Sequence, residues 1–315
     1  MLKLVGRPLL ALIPTLLVVT FAVFLLVELA PGDAAHALAG ENAPQEVVDA
    51  ITAELHLDQP LLVRYGEWLW GALHGDLGRS YLSNQPVSDL LLEKLPVTLS
   101  LGVLSLVLAV LLGFVLGILA ARWPGGLVDR TVTTVSSVML AIPSFWLALV
   151  LVLLFAVTRN FFPTIGYTPL GESPTDWLHH LTLPAIALAM NPAATIALQL
   201  RSAMIAEEGS DYLMAARAKG LTVPNLLYKH ALKNAAVPVV AVLGFRIAAL
   251  LGGTVIIETI FVLPGLGLLA QQTALNQDVP VILGIVTVTT LFVMVVNVLV
   301  DASYGLINPK LRGAR

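Results

Sequence analysis

Six long stretches of this chain are dominated by apolar residues, near 9–30, 97–121, 131–157, 182–205, 237–262 and 280–303. A bilayer hydrocarbon core about 30 Å thick takes roughly 20 apolar residues at helical rise, so each stretch is predicted to be a membrane-spanning helix. Small residues recur inside them at helical spacing. Ser105, Ala109, Gly113, Gly117 and Ala121 run i, i+4 along the second stretch, and Ala185, Ala189, Ala193 and Ala197 along the fourth. Gly244, Ala248 and Gly252 do the same on the fifth, with Ala249 and Gly253 beside them. In lipid, helices associate by close approach rather than by excluding water, so these are predicted contact faces. Pro143 and Pro192 are expected to bend their helices.

Between the first two stretches, residues 31–96 carry a different pattern. Val47, Val48, Ile51 and Leu55 define one amphipathic face, and Leu61, Leu62, Tyr65, Trp68, Leu69 and Leu73 another. A small helical lobe is expected here, with Trp68 and Trp70 near the headgroups.

Composition agrees with lipid as the main solvent: of 315 residues, 57% are hydrophobic and 12% charged, and mean hydropathy is +0.89. The chain has no cysteine, which removes disulfides, thiolate metal sites and thiol nucleophiles. A net charge of −3 argues against a nucleic-acid partner. More telling is where the cations fall. Lys3, Arg7, Arg122, Arg130, Arg201, Arg217, Lys219, Lys229, Lys233, Lys310, Arg312 and Arg315 belong to one side of the predicted topology. Arg64, Arg79, Lys94 and Arg159 belong to the other. The positive-inside rule then places both termini in the cytoplasm. Lys3 and Arg7 ahead of an apolar run, with Ala35-His36-Ala37 after it, raise the alternative of a cleaved signal peptide. The run is too long for one, and its loss would leave five spans and spoil the charge alternation, so the first span is expected to be retained.

On the basic side, Asp211 to Pro238 reads as helix, sharp turn, helix. Ala215 and Ala216 offer a nearly bare surface. Gly220 can take the left-handed conformation that ends a helix, and Arg217 and Lys219 suit its negative end. Thr222 is placed to cap a second short helix, with Pro224 in its first turn and Val223, Leu226, Leu227 and Ala231 at helical spacing. Such an elbow is built for docking. The chain has no Gly-x-x-x-x-Gly-Lys-Ser/Thr phosphate loop and no Gly-x-Ser-x-Gly context. Its histidines, including adjacent His179 and His180 near Asp176, form no metal-ligand pattern within one element. No catalytic site is expected.

Ala215, Ala216, Arg217 and Gly220 resemble the EAA loop of ABC importer permeases, with Met214 where that family has glutamate. Further motifs follow the order found in the B-type subunit of dipeptide/oligopeptide permeases. They are Pro31-Gly32-Asp33, Leu57-Asp58-Gln59-Pro60-Leu61, Gly75-Asp76-Leu77-Gly78-Arg79-Ser80, Leu95-Pro96-Val97-Thr98-Leu99, Ile142-Pro143-Ser144-Phe145-Trp146, Glu258-Thr259-Ile260-Phe261, Pro264-Gly265-Leu266-Gly267 and the 301–311 stretch. One departure is Asn308-Pro309-Lys310, where the family usually has Asp-Pro-Arg.

The resemblance implies an all-α polytopic membrane protein with six transmembrane helices of the MetI-like type. Its expected layout is a first transmembrane helix at 1–30, an extracytoplasmic helical insertion at 31–96, a five-helix core at 97–307 carrying the EAA loop at 206–236, and a cytoplasmic tail at 308–315. It further implies a bacterial or archaeal cell-membrane complex: a heterodimer with a second permease, two ABC ATPases holding ATP and Mg2+, and an extracytoplasmic solute-binding protein. This subunit would hold no cofactor. Asp211, Ala215, Ala216, Arg217, Gly220, Thr222, Leu226, Leu227 and Tyr228 are then the expected ATPase-coupling residues.

The expected solute is a di- or oligopeptide, with nickel chelates or another small solute as the alternative. An ion-coupled secondary transporter would need inverted repeats and acidic residues near the midplane, and the chain offers neither. Candidate pathway residues are the polar ones within apolar helices. Arg246 would attract a carboxylate or bond to carbonyls or a neighbouring subunit. Glu258 and Glu28 would meet an amine or simply be hydrated. Asn191, Gln199 and Asn297 would line the path or bond between helices.

Overall fold

A computed structural model describes residues 2–30, 34–40, 43–222, 226 and 231–307, with side chains placed at all of these but 2–11, 237, 240–243, 245–251 and 301–307. Among the described residues every regular element is helical, apart from one isolated antiparallel bridge between Arg79 and Pro86.

All six apolar stretches are helical. α1 (Leu2–Glu28) precedes three short helices, α2 (Ala34–Ala39), α3 (Gln45–Glu54) and α4 (Leu61–Leu73). α5 (Val87–Arg122), α8 (Pro174–Glu208) and the 279–300 part of α12 (Val279–Ile307) are each long and apolar enough to cross a membrane. Two further spans are broken. α6 (Leu127–Ala141) and the helix that begins with α7 (Ser144–Leu151) and continues as a π-helix over Val152–Val157 meet at 102°. The 252–261 part of α10 (Leu232–Phe261) meets α11 (Leu266–Leu275) at 85°. α9 (Asp211–Ala218) completes the order.

The first break makes the bend expected at Pro143 into a corner. Proline drives the residue before it out of the helical region, and Ile142 has φ −84° and ψ 122°. At the second break Val262 is left-handed (φ 51°, ψ 43°), and Pro264 and Gly265 follow. The apolar pattern marked the end of that span but gave no hint of α11. α8 continues unbroken through Pro184 and Pro192.

The chain divides into two compact units, Met1–Thr98 with Pro264–Met294, and Leu99–Leu263 with Val295–Arg315. In the first, Phe24, Tyr65, Val279 and Leu283 form a core to which Leu61, Trp68 and Leu69 add. Phe21 meets Tyr65 edge-on at 5.1 Å, and Thr20 shares a 2.9 Å hydrogen bond with the Tyr65 hydroxyl. Only part of the expected α4 face is therefore buried: Leu62 is 70% exposed, one residue out of phase with Leu61, and Leu73, the last residue of the helix, 73%. On α3, Val48 is buried while Val47 turns outward. Trp68 packs into the core, and Trp70 is the exposed member of that pair.

A buried carboxylate fixes the Gly75–Ser80 turn. Asp278, at the start of α12, accepts from Ser80 Oγ at 2.6 Å and the Tyr81 N–H at 3.1 Å, as a charge withdrawn from water requires. Nearby, Gly284 admits Val87 so closely that a Cβ there would lie 2.5 Å from Val87 Cγ1.

In the second unit α8 is the most enclosed span. Ala185, Ala189, Ala193 and Ala197 are all buried, as their spacing predicts. Gly113 and Gly117 pack on α8, where an added Cβ would lie 2.6 Å from Ile196 and 2.9 Å from the Ala197 carbonyl. On α10 Gly244 meets Val300, whereas a Cβ at Gly252 would have no described atom within 4 Å. Gly253 beside it approaches Leu188, so the contact face turns at that point.

Candidate docking loop and translocation path

α9 is capped by a Schellman motif. Lys219 is the C-cap and Gly220 follows at φ +84°, with the Gly220 N–H donating to the Arg217 carbonyl (3.0 Å) and the Leu221 N–H to Ala216 (3.3 Å). These bonds satisfy carbonyls the helix end would leave open, and they reverse the chain as the sequence predicts. Leu213, Leu226 and Ala231 form a small core beneath the turn, joined by Ala216 and Leu221. Leu226, one of the expected coupling residues, is thus buried within the loop and supports it. Its N–H donates to the Thr222 carbonyl at 3.0 Å, one helical turn after the expected cap. Asp211, Met214, Ala215, Arg217, Gly220 and Thr222 are exposed on the elbow. Leu227 and Tyr228 lie outside the described residues.

Two anchors of this elbow escaped the sequence reading. The Tyr212 hydroxyl donates to Glu207 at the end of α8 and accepts from Asn234 Nδ2 (2.9 Å) on α10, so one side chain ties α9 to both flanking spans. Partial burial, then the bond to Glu207, raises its pKa above the ordinary phenol value. Higher on α8, Arg201 clamps buried Asp129 with two charge-assisted hydrogen bonds, one of them 2.7 Å, while the Gly125 N–H donates to the same carboxylate at 2.7 Å. Arg201 had counted only as a cytoplasmic cation, and no local pattern pairs residues so far apart.

The candidate pathway residues have different local surroundings. Glu28 pairs with Arg64 at 2.6 Å beside a cavity of about 210 Å³ in the first unit. Arg64 also stands 5.8 Å over the Phe24 ring. Glu258 is buried in α10, and the side chain of Arg246 lies outside the described ones. Asn191 is half-buried and donates to the Leu140 carbonyl at 3.5 Å, whereas Gln199 and Asn297 are exposed. His179 and His180 bond to the Phe161 and Asp176 carbonyls.

An all-helical chain with several membrane-spanning helices, and an exposed capped elbow between two of them, has the build of the membrane part of a transport system. The chain belongs to the family described as binding-protein-dependent transport system inner membrane component, which matches residues 113–313. The N-terminal component of that family matches residues 1–102. A Brucella abortus (strain 2308) protein named as a peptide transport system permease is 42% identical over 300 residues, covering 95% of this chain and 96% of the relative. A Sinorhizobium fredii protein named as a peptide ABC transporter permease is 37% identical, covering 97% and 98%. The glutathione transport system permease GsiC of Escherichia coli O6:H1 is 36% identical, covering 99% of each. Among solved structures, an inward-facing MetNI methionine ABC transporter aligns at TM-score 0.55 with 19% identity, over 70% of this chain and 97% of that one. An amino acid ABC transporter aligns at 0.51 with 18% identity, over 69% and 94%. The fold is that of the ABC importer permeases, and the protein is a multi-pass inner-membrane component.

Proposed function

We propose that this chain is the permease subunit of an ATP-driven importer of di- or oligopeptides, forming half of the translocation path and drawing its power from cytoplasmic ATPases. The observation that carries the reading is the elbow: a short helix, Schellman-capped at Gly220, presents exposed Asp211, Met214, Ala215 and Arg217 while Tyr212 fastens it to the spans on either side. A rigid, exposed lever between two spans is what a force-transmitting contact requires. Relatives named for peptide and glutathione transport support the solute class, since glutathione is itself a modified tripeptide. Met214 at the glutamate position leaves the contact to its neighbours, and Asp211 one turn earlier supplies the carboxylate.

In this reading the layout is first span, outer lobe at 31–96, five-helix core and short tail, with both termini and the elbow in the cytoplasm. Partners are a second permease, two ATPases that hold ATP and Mg2+, and an extracytoplasmic binding protein. The subunit contributes no phosphate cradle of its own. Closure of the ATPases pulls the elbow, the bundle rotates and the path opens outward; uptake follows when it reverts.

Vesicles holding the full complex should accumulate peptides only with ATP and the binding protein, and vanadate should stop them. Accumulation by this chain alone against a gradient would overturn the proposal. A nickel chelate taken up in place of peptides would keep the mechanism and change the solute.

A further inference from the structure

One face of α8 is out of keeping with a helix in lipid. Asn191, Thr195, Gln199 and Ser202 follow one another at i, i+4, i+8 and i+11, on the side of the helix away from its buried alanine face. At helical rise, Asn191 to Gln199 covers about 12 Å, well inside a hydrocarbon core of roughly 30 Å. Exposure grows along the stripe: Asn191 and Thr195 are half-buried, and Gln199 and Ser202 are exposed, toward the end of α8 that leads to the elbow.

A second observation points to the same place. Asn191 donates to the carbonyl of Leu140, next to the α6 break at Ile142 and Pro143. A broken helix leaves its last carbonyls without intrahelical donors, and Leu140 and Ala141 are exposed. Open backbone at membrane depth is tolerated only inside protein or along a wet cavity. Close helix contacts in this unit use glycine, as at Gly113 and Gly117, and the stripe, which bonds to Leu140 through Asn191, takes no part in those two.

Building on the peptide-import reading, we infer that the Asn191–Thr195–Gln199–Ser202 stripe, with the open end of α6, is a hydrogen-bonding rail for the main chain of the passing peptide. Its groups are neutral: the Asn191 and Gln199 amides and the Ser202 hydroxyl include both donors and acceptors, the complement of a peptide amide, while the Thr195 hydroxyl between them donates to the Asn191 carbonyl at 3.1 Å. Their i, i+4 step of about 6 Å nearly matches the roughly 6.6 Å two-residue repeat of an extended chain. No charge on the rail selects among side chains, so a rail of this chemistry passes peptides regardless of sequence.

The absence of cysteine permits a direct test in the assembled, vesicle-reconstituted importer. Thr195→Cys and Gln199→Cys should each react with a membrane-impermeant maleimide, and short alanine peptides undergoing ATP-driven import should slow that labelling severalfold. Thr195→Val with Gln199→Leu should lower uptake per ATP hydrolysed about tenfold, the scale of one lost hydrogen bond, while co-purification with the second permease is retained. Gln199→Asn should restore much of it. Unreactive thiols that cross-link to the second permease would make this face a subunit interface and overturn the rail. So would free labelling that imported peptides leave unchanged. A wild-type complex that imports no peptide, with labelling slowed by a nickel chelate instead, would overturn the rail together with the reading beneath it.

Discussion

Among the described residues of this sparsely charged chain, two carboxylate–arginine pairs differ in kind. The Glu28 side chain of the first unit is 30% exposed and meets Arg64 through one 2.6 Å contact. The Asp129 side chain of the second unit is 3% exposed and gathers Arg201, the Gly125 N–H and Thr133 around it. Water reaches the first pair through Glu28 although the Arg64 side chain is itself only 9% exposed, and it can replace the single carboxylate contact, so that pair gives little. A buried pair is different: its net gain over an apolar substitute is small, yet losing one partner strands a charge. The lesson is that the second unit has much more at stake where α6 meets α8, the span that leads into the elbow, than the first has at the end of α1.

The largest test of this contrast is Arg201→Met, which should cost about 3–5 kcal/mol by leaving Asp129 unpaired, read as a lower thermal midpoint in detergent. Joint replacement with Asp129→Leu should recover much of that loss; equal damage from single and double variants would break the comparison. Next comes Gly220→Val. Among the described residues no atom lies within 4 Å of a Cβ at Gly220, which holds φ +84°, so the expected cost of about 1–3 kcal/mol is backbone strain. The variant should insert normally and lower uptake per ATP hydrolysed, and Arg217→Glu should do the same through the exposed surface. Normal coupling in both would remove the elbow from the mechanism. Tyr212→Phe, which keeps the ring and loses the bonds to Glu207 and Asn234, should cost about 1 kcal/mol and loosen coupling with membrane insertion unchanged. Glu28→Gln should be the mildest, at about 0–1 kcal/mol, with peptide uptake near wild type. A collapse of uptake in that variant would mark Glu28 as a pathway residue.

Legibility followed the range of the interaction. The helices were readable because each apolar run is longer than any loop tolerates, and the Gly220 reversal because left-handed backbone is nearly a glycine privilege. Gly113 and Gly117 were readable from spacing alone. The burial of Leu226 was not readable, because helical spacing put it on one face with Ala231 but could not show that Leu213 packs there too. The same limit hid the outward turn of Leu62 and the replacement of Gly252 by Gly253 in the contact face. α11 was missed because Pro264 and Gly265 signal a stop and say nothing of the corner after which the chain resumes a helix.

By itself the sequence determined the solvent, the helical stretches, their expected polarity and the position of the elbow, since hydropathy, helical period, proline and glycine conformations act over a few residues. Tertiary structure alone decided that Asp129 belongs to Arg201, that Tyr212 joins α8 to α10, and that one polar face of α8 opens beside a broken helix. Those pairings depend on how distant segments are brought together, and helical periodicity carries no record of what will lie across the gap.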